Sequence, residues 1–525
     1  MDGTARAALA PLGGGAWSSV DRAISVMATL SESPATASAH LKHEYLQYLT
    51  PTVEHLEVRA DLAGRADRDG AADADPRPLR THFPGTLLYT LRSTTAGGDC
   101  ADPADRRRAR LIAAADRYDY VDLEADRDLH PDVLDAIPPE RRVITWHGPT
   151  TDLARLRRRF VELTAVKARL YRLAPRAATP AQAVLPLLLL KSIGRNDVMA
   201  YGDGPAGTWT RVLTAKYGAP LASGRLDLAA AAGTGPPPAD GDLPLPRLLT
   251  DYPHPLVSRV ERLYGIIGAS TTLSLASLVH NTAYRSLGLP ALFLPFSTPE
   301  LHSQLAELTS RLDDLGLPLC GATVVRPHKD AALALAADIS PLARRAHAAS
   351  LIVRTADGWW ADNEAAGVVA TLTGRGVDLV GRRVAVVGCG GAGRAAAAGL
   401  SQAGARVTLV NRGVRRGERI AKRLGLPFVP LRHLDPRRFS VLIHATPVID
   451  EPLFRIDGLN PATVVFDLNY RAAETPLVAA GRSGGHLTLD GRDMLLVELA
   501  RQFELMTDRS MPVDEVAAAL ALTEG

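Results

Sequence analysis

Cysteine is scarce in this chain. Three residues in 525, Cys100, Cys320 and Cys389, lie far apart, with no CxxC pair and no metal-ligand spacing. That excludes a disulfide framework and gives no reason to expect a metal, and a reducing cytoplasm is the simplest setting. Charge of one sign is also missing: 60 basic against 57 acidic residues leave a net charge of +3. So even a balance argues against an electrostatic binder of nucleic acid or of a membrane surface. Long hydrophobic runs are absent too. The longest, Ala183 to Leu190, is interrupted by Pro186 and falls far short of the roughly 20 residues that span a bilayer. The N-terminus shows no basic stretch leading into an apolar core, so no secretory signal is expected there.

What is present is ordinary globular material in quantity. Apolar residues make up 46% and charged residues 22% of a chain long enough for two to four domains. Residues 1–24, rich in Gly, Ala and Ser, are expected to be poorly ordered. From 25 to 232 short apolar strands alternate with helical stretches. The candidate strands are 25–30, 53–59, 85–91, 118–123, 142–146, 162–168, 198–201 and a weak one at 220–222. Eight such strands with intervening helices predict a (β/α)8 barrel. Three consecutive prolines among glycines then mark 233–258 as an interdomain connection. A second αβ segment runs over 259–375, a third over 376–500, and helices over 501–525 are expected to pack back on the second.

In the barrel segment, Glu57, Arg59 and Asp61 alternate with apolar residues and would share one face of a strand. That face is either turned into the barrel, where converging charges need partners or a ligand, or exposed along an edge. Arg92, His147 and Lys167 each stand at or just past the end of a candidate strand, the rim where barrel active sites sit.

The order Glu57-x-Arg59-x-Asp61, Arg92-Ser93, Asp119-x-x-Asp122-x-Glu124, His147, Val166-Lys167 and a late Arg211 resembles type I 3-dehydroquinate dehydratase over about residues 25–235. The resemblance implies that Lys167 forms a Schiff base with a substrate ketone and that His147 is the general acid/base. Glu57, Arg59, Arg92 and Arg211 would hold the substrate, Arg211 taking its carboxylate. The chemistry suits these residue types: a protonated imine is an electron sink, so a nearby imidazole can remove the adjacent proton. This chain departs from the family pattern at Ala96, where an acid is usual, at Gly148, where Asp is usual, and at 235–238, where a Gly-Gln pair is usual.

Further on, Arg383-Val-Ala-Val-Val-Gly388-Cys-Gly390-Gly391-Ala392-Gly393 is a short apolar strand running into GxGxxG and an alanine-rich helix. Such glycines let the backbone approach a pyrophosphate seated on the helix N-terminus. The next strand ends in Asn411-Arg412, without the acid that would bind a ribose 2′-hydroxyl. Arg412 and Arg416 suit a 2′-phosphate, so NADP is expected over NAD.

Residues 263–525 resemble shikimate dehydrogenase through Tyr264-Gly-Ile-Ile-Gly268, His280-Asn281, Arg326-Pro-His-Lys329, Asn411-Arg412, Ala445-Thr446-Pro447, Asp467-Leu-Asn-Tyr470 and Gly491-x-x-Met494. The resemblance implies an αβ substrate domain followed by a Rossmann NADP domain. Lys329 would move the hydroxyl proton, with Glu364 as its partner where the family uses Asp; one extra methylene moves that carboxylate by about 1.5 Å. Ser274, Ser350, Tyr470 and Glu498 are the implied substrate contacts, and Thr446 joins the glycines at the cofactor. Ala276, Val325, Ser350 and Glu498 replace polar family contacts, which argues against ordinary shikimate as a tight ligand.

Together these features predict two α/β enzymes in series acting on cyclic polyhydroxy carboxylates. The barrel would dehydrate 3-dehydroquinate, and the second half would reduce 3-dehydroshikimate with NADPH. Two rivals stay open: the same chemistry on an amino- or quinate-like ring, and a ligand-sensing regulator that kept the folds. No nucleic-acid module and no membrane attachment is expected, and a homodimer is left open.

Overall fold

The computed structural model describes residues 25–30, 34, 37, 53–63, 75–149, 152–226, 243–252, 256–469 and 474–524. The expected disordered stretch 1–24 and candidate Tyr470 lie outside the described residues.

Eight parallel strands form the first unit: β1 (Ser25–Leu30), β2 (Val53–Arg59), β3 (Thr86–Thr90), β4 (Tyr120–Glu124), β5 (Arg142–Trp146), β6 (Leu170–Leu173), β7 (Val198–Ala200) and β8 (Leu221–Leu226). Their order, β7-β6-β5-β4-β3-β2-β1-β8, wraps them into a nearly closed barrel. Alternation along the strands sorts the interior into layers. Met27, Leu88, Val143, Leu170, Met199 and Leu221 make an apolar base. Two residues further along the same strands, Thr29, Thr90, Thr145, Arg172, Tyr201 and Ser223 make a polar layer above it, joined by Glu57 and Asp122.

Seven of the eight expected strands lie where predicted, to within a few residues. The sixth does not. Residues 162–164 are the last turn of helix Leu153–Thr164, and the strand begins only at Leu170. The helix wins because Leu156, Phe160 and Leu163 are spaced for one buried face and Asp152 caps its N-terminus by accepting from Arg155 N–H. Helix Pro180–Ile193, apolar all round, is buried between the barrel and helix His302–Leu315 of the next unit. Within the stretch read as a connection, Leu245–Asp251 is a helix seated so closely on β8 that a Cβ at Gly224 would lie 2.8 Å from the Leu245 Cα.

The second unit is a six-stranded mixed sheet of β9 (Arg262–Gly268), β10 (Ala291–Ser297), β11 (Leu319–Val324), β12 (Asp338–Ile339), β13 (Leu351–Thr355) and β14 (Gly358–Asp362), in the order β10-β9-β11-β13-β14-β12. The third is all parallel: β15 (Arg383–Val387), β16 (Arg406–Asn411), β17 (Phe428–Pro430), β18 (Val441–His444), β19 (Val464–Asp467) and β20 (Thr488–Leu489). Its order, β17-β16-β15-β18-β19-β20, is the doubly wound arrangement whose strand order reverses between β15 and β18. Helix Gly491–Thr507 leaves this unit unbroken, and helix Val513–Glu524 packs on helix Ala276–Ser286 of the second unit. Among the described residues no helix is long and apolar enough to cross a membrane.

Candidate active sites

Two sites take shape, one at each sheet end where parallel strands deliver their loops. The first is the cleft at the β15–β18 switch point, a cavity of about 690 Å³. Gly388, Gly390, Gly391, Ala392, Asn411, Arg412, Arg416 and Thr446 all line it. Gly393 sits beneath the turn: a Cβ there would lie 2.0 Å from the Gly388 carbonyl oxygen, and one at Gly388, with φ of 122°, would lie 2.6 Å from that of Ala445. Side chains at either position would fill the cradle, so the backbone fits a pyrophosphate on the N-terminus of helix Gly391–Gln402. Arg412 and Arg416 stand exposed at the rim beyond β16.

Lys329 belongs to the same cavity. It begins a helix just past β11, and its side chain runs so close to Gly391 that a Cβ there would lie 2.7 Å from the lysine Cδ. Its ammonium donates to the Glu364 carboxylate, which stands just past β14 and is buried. Burial alone would raise the Glu364 carboxyl, but the adjacent ammonium outweighs it and holds it below the usual range. The longer acid thus still reaches its lysine. Ser350 is buried on the loop before β13. Glu498, on helix Gly491–Thr507, accepts from Gln502 Nε2 at 2.8 Å, and Gln502 in turn accepts from Thr323 Oγ1 at 2.5 Å. Burial, then the charge of Glu364, lifts Glu498 from its ordinary 4.5 to about 7. Ser274 lies in the loop after β9, with its hydroxyl accepting from Ala276 N–H at 3.2 Å. His280 is wholly buried, stacked on Phe293 at 4.2 Å, and Asn281 bonds both the N–H and the carbonyl of Phe293, so this pair builds the core.

The second site is the barrel mouth. Glu57 is turned inward, not along an exposed edge, and is held as a carboxylate by Thr29, Thr90 and Arg172 at 2.8, 2.8 and 2.6 Å. Burial opposes ionisation there, yet the Arg172 guanidinium prevails and lowers it to about 2. Arg59 makes a two-pronged pair with Asp61 at 2.8 and 2.7 Å. Arg92 donates to His147 Nδ1 at 2.7 Å and to Asp203 at 2.8 Å. Arg211 lies over the Tyr201 ring at 4.0 Å and reaches Asp203 at 3.4 Å. Arg92, His147, Arg172, Arg211 and Glu57 line one cavity of about 60 Å³.

Lys167 is not there. It is exposed and precedes β6, whereas Arg92, His147 and Asp203 follow β3, β5 and β7. Parallel strands put those two groups at opposite ends of the barrel, separated by roughly 13 Å of strand at about 3.3 Å per residue. The correction follows from the displaced sixth strand. With that strand placed at 162–168, Lys167 ended it; with the strand at Leu170–Leu173, Lys167 stands before its start, and the mouth-facing residue is Arg172. Arg172 and Asp203 are the mouth residues that sequence reasoning missed. The available signal was a lone arginine in the otherwise apolar strand Leu170–Leu173.

The family model for type I 3-dehydroquinase matches residues 36–237, and that for the shikimate dehydrogenase substrate binding domain matches 266–352. An FAD binding domain model matches 383–447, the segment carrying the glycine-rich turn. Similar curated proteins include the "Shikimate dehydrogenase (NADP(+))" of Syntrophobacter fumaroxidans, 33% identical over 49% of this chain and 91% of that protein. The enzyme of the same name from Symbiobacterium thermophilum is 34% identical over 50% of this chain and 95% of that protein. The chloroplastic bifunctional 3-dehydroquinate dehydratase/shikimate dehydrogenase of Arabidopsis thaliana is 25% identical over 87% of this chain and 78% of that protein.

Proposed function

Since this chain belongs to the shikimate dehydrogenase family and carries a type I 3-dehydroquinase domain ahead of it, we propose a shikimate-pathway protein whose C-terminal half reduces 3-dehydroshikimate with NADPH and whose barrel takes 3-dehydroquinate. Its domains are those of a lyase and an oxidoreductase acting in succession, the arrangement named for the Arabidopsis relative. A reducing, cytoplasm-like compartment suits three free cysteines.

The observation that carries the reductase reading is the Lys329–Glu364 pair at the inner edge of the dinucleotide cleft. NADPH bound in the cleft supplies the hydride. Lys329 gives its proton to the substrate oxygen as the ketone is reduced, and takes it back in the reverse direction. Glu364 accepts from the lysine and so fixes where its proton points. Glycines 388 and 393 admit the pyrophosphate, and Arg412 with Arg416 meets a 2′-phosphate, a group that FAD lacks.

The test is NADPH oxidation with 3-dehydroshikimate by the whole chain. Lys329→Ala should lower kcat by roughly 10²–10⁴-fold, the usual worth of a positioned acid/base, with the NADPH KM little changed. Absence of turnover at millimolar substrate, or flavin absorbance in the purified protein, defeats this reading.

A further inference from the structure

The floor of the barrel mouth carries a guanidinium where imine chemistry needs an amine. Arg172 is 4% exposed and lies in the layer formed by Glu57, Asp122 and Tyr201. One terminal nitrogen is used on Glu57 at 2.6 Å and stands 3.9 Å from Asp122. The other terminal nitrogen and Nε are buried with no hydrogen-bond partner, in a residue that lines the cavity. Buried donors left unmade are destabilising, so they point to a ligand acceptor. The two flanking carboxylates raise the guanidinium further above its usual range, and a guanidinium that never loses its proton cannot attack a ketone.

No other described residue supplies the missing amine. Lys167 and Lys216 precede β6 and β8 and so lie at the opposite end of the barrel. Lys191 donates to the Asp314 and Leu315 carbonyls of the next unit. His147 does not serve as a base in this arrangement either. Arg92 can only donate, so Nδ1 accepts and the ring hydrogen sits on Nε2. Burial, then the Arg92 charge, pushes the imidazole well below its usual range, which keeps it neutral. Glu57 is held ionised by three donors. Among the described residues the mouth is therefore rich in donors, with no lysine amine and with Glu57 and His147 both already accepting hydrogen bonds.

We propose that the barrel holds its cyclic carboxylate ligand without any covalent bond, Arg172 offering its two unused N–H groups to a ring oxygen while Arg92 and Arg211 take the carboxylate. This rests on the dehydroquinase-family reading of the barrel for the class of ligand, and it replaces the imine by hydrogen bonding.

The experiment treats the whole chain with 3-dehydroquinate and sodium borohydride, maps adducts by peptide mass spectrometry, and titrates the same ligand by calorimetry. The native chain should bind and give no adduct. Arg172→Met should weaken the binding at least tenfold, with circular dichroism checking its fold. Arg172→Lys keeps a positive charge beside Glu57 but loses the planar pair of N–H groups, so it should bind more weakly than the native chain. An adduct on any lysine of the native chain, Lys42 included, overturns the proposal. So does a native chain that binds nothing, or an Arg172→Met or Arg172→Lys chain that binds as tightly as the native one. Enone absorbance, followed in parallel, separates the two readings. Binding without turnover or adduct removes the dehydratase reading and keeps this one; turnover with an adduct does the reverse.

Discussion

Replacing Arg412 by Ser should separate the two nicotinamide cofactors. Arg412 and Arg416 both line the dinucleotide cleft, and both are exposed. A hydrogen bond to a charged group contributes about 1.5–3 kcal/mol when well formed. At the exposed rim, with charges screened over about 8 Å at physiological salt, the contribution falls to about 1–2 kcal/mol. At about 1.4 kcal/mol per tenfold, the NADPH KM should rise roughly 5- to 30-fold. NADH has no 2′-phosphate to lose, so its KM should move less than about twofold, the scale of a few tenths of a kcal/mol. Raising the salt concentration should shrink the native preference toward that of the variant. Steady-state NADPH and NADH oxidation with 3-dehydroshikimate measures both. Equal weakening of the two cofactors, or no change for NADPH, would refute the assignment of the β16 turn to the phosphate.

Glu498 offers a pH test. Its carboxyl is raised from 4.5 to about 7 in the folded chain, so folding favours the protonated form. Its stabilising contribution is whole below pH 4.5 and is lost as the pH climbs to about 7. Glu498→Gln should accordingly gain in Tm over the native chain between pH 5 and about 8, and the reductase pH profile should lose an inflection near 7; superimposable profiles count against it. In the barrel, Glu57→Ala should cost about 3–5 kcal/mol by stranding the buried Arg172 charge. Glu57→Leu with Arg172→Met should recover most of that loss, and denaturant melts in which the two changes simply add would show that the pair is not coupled.

What the sequence determined by itself is whatever depends on local pattern. The βα alternation predicted the barrel, and the Val-rich strand before GxGxxG predicted a dinucleotide turn whose glycines are required by backbone approach. Lys329 and Glu364 were legible only through the resemblance to shikimate dehydrogenase, and the fold brings the two together as an ion pair. Tertiary structure decided what depends on which end of a strand a residue occupies. Leu156, Phe160 and Leu163 bury one helical face against the barrel, and that burial carries the helix through Thr164 and delays the sixth strand to Leu170. A shift of a few residues then moved Lys167 from the mouth to the base and brought Arg172 against Glu57, 115 positions away in the chain. Local propensity cannot set such a boundary, because what fixes it is the packing of a helix against a barrel that exists only once the chain has closed on itself.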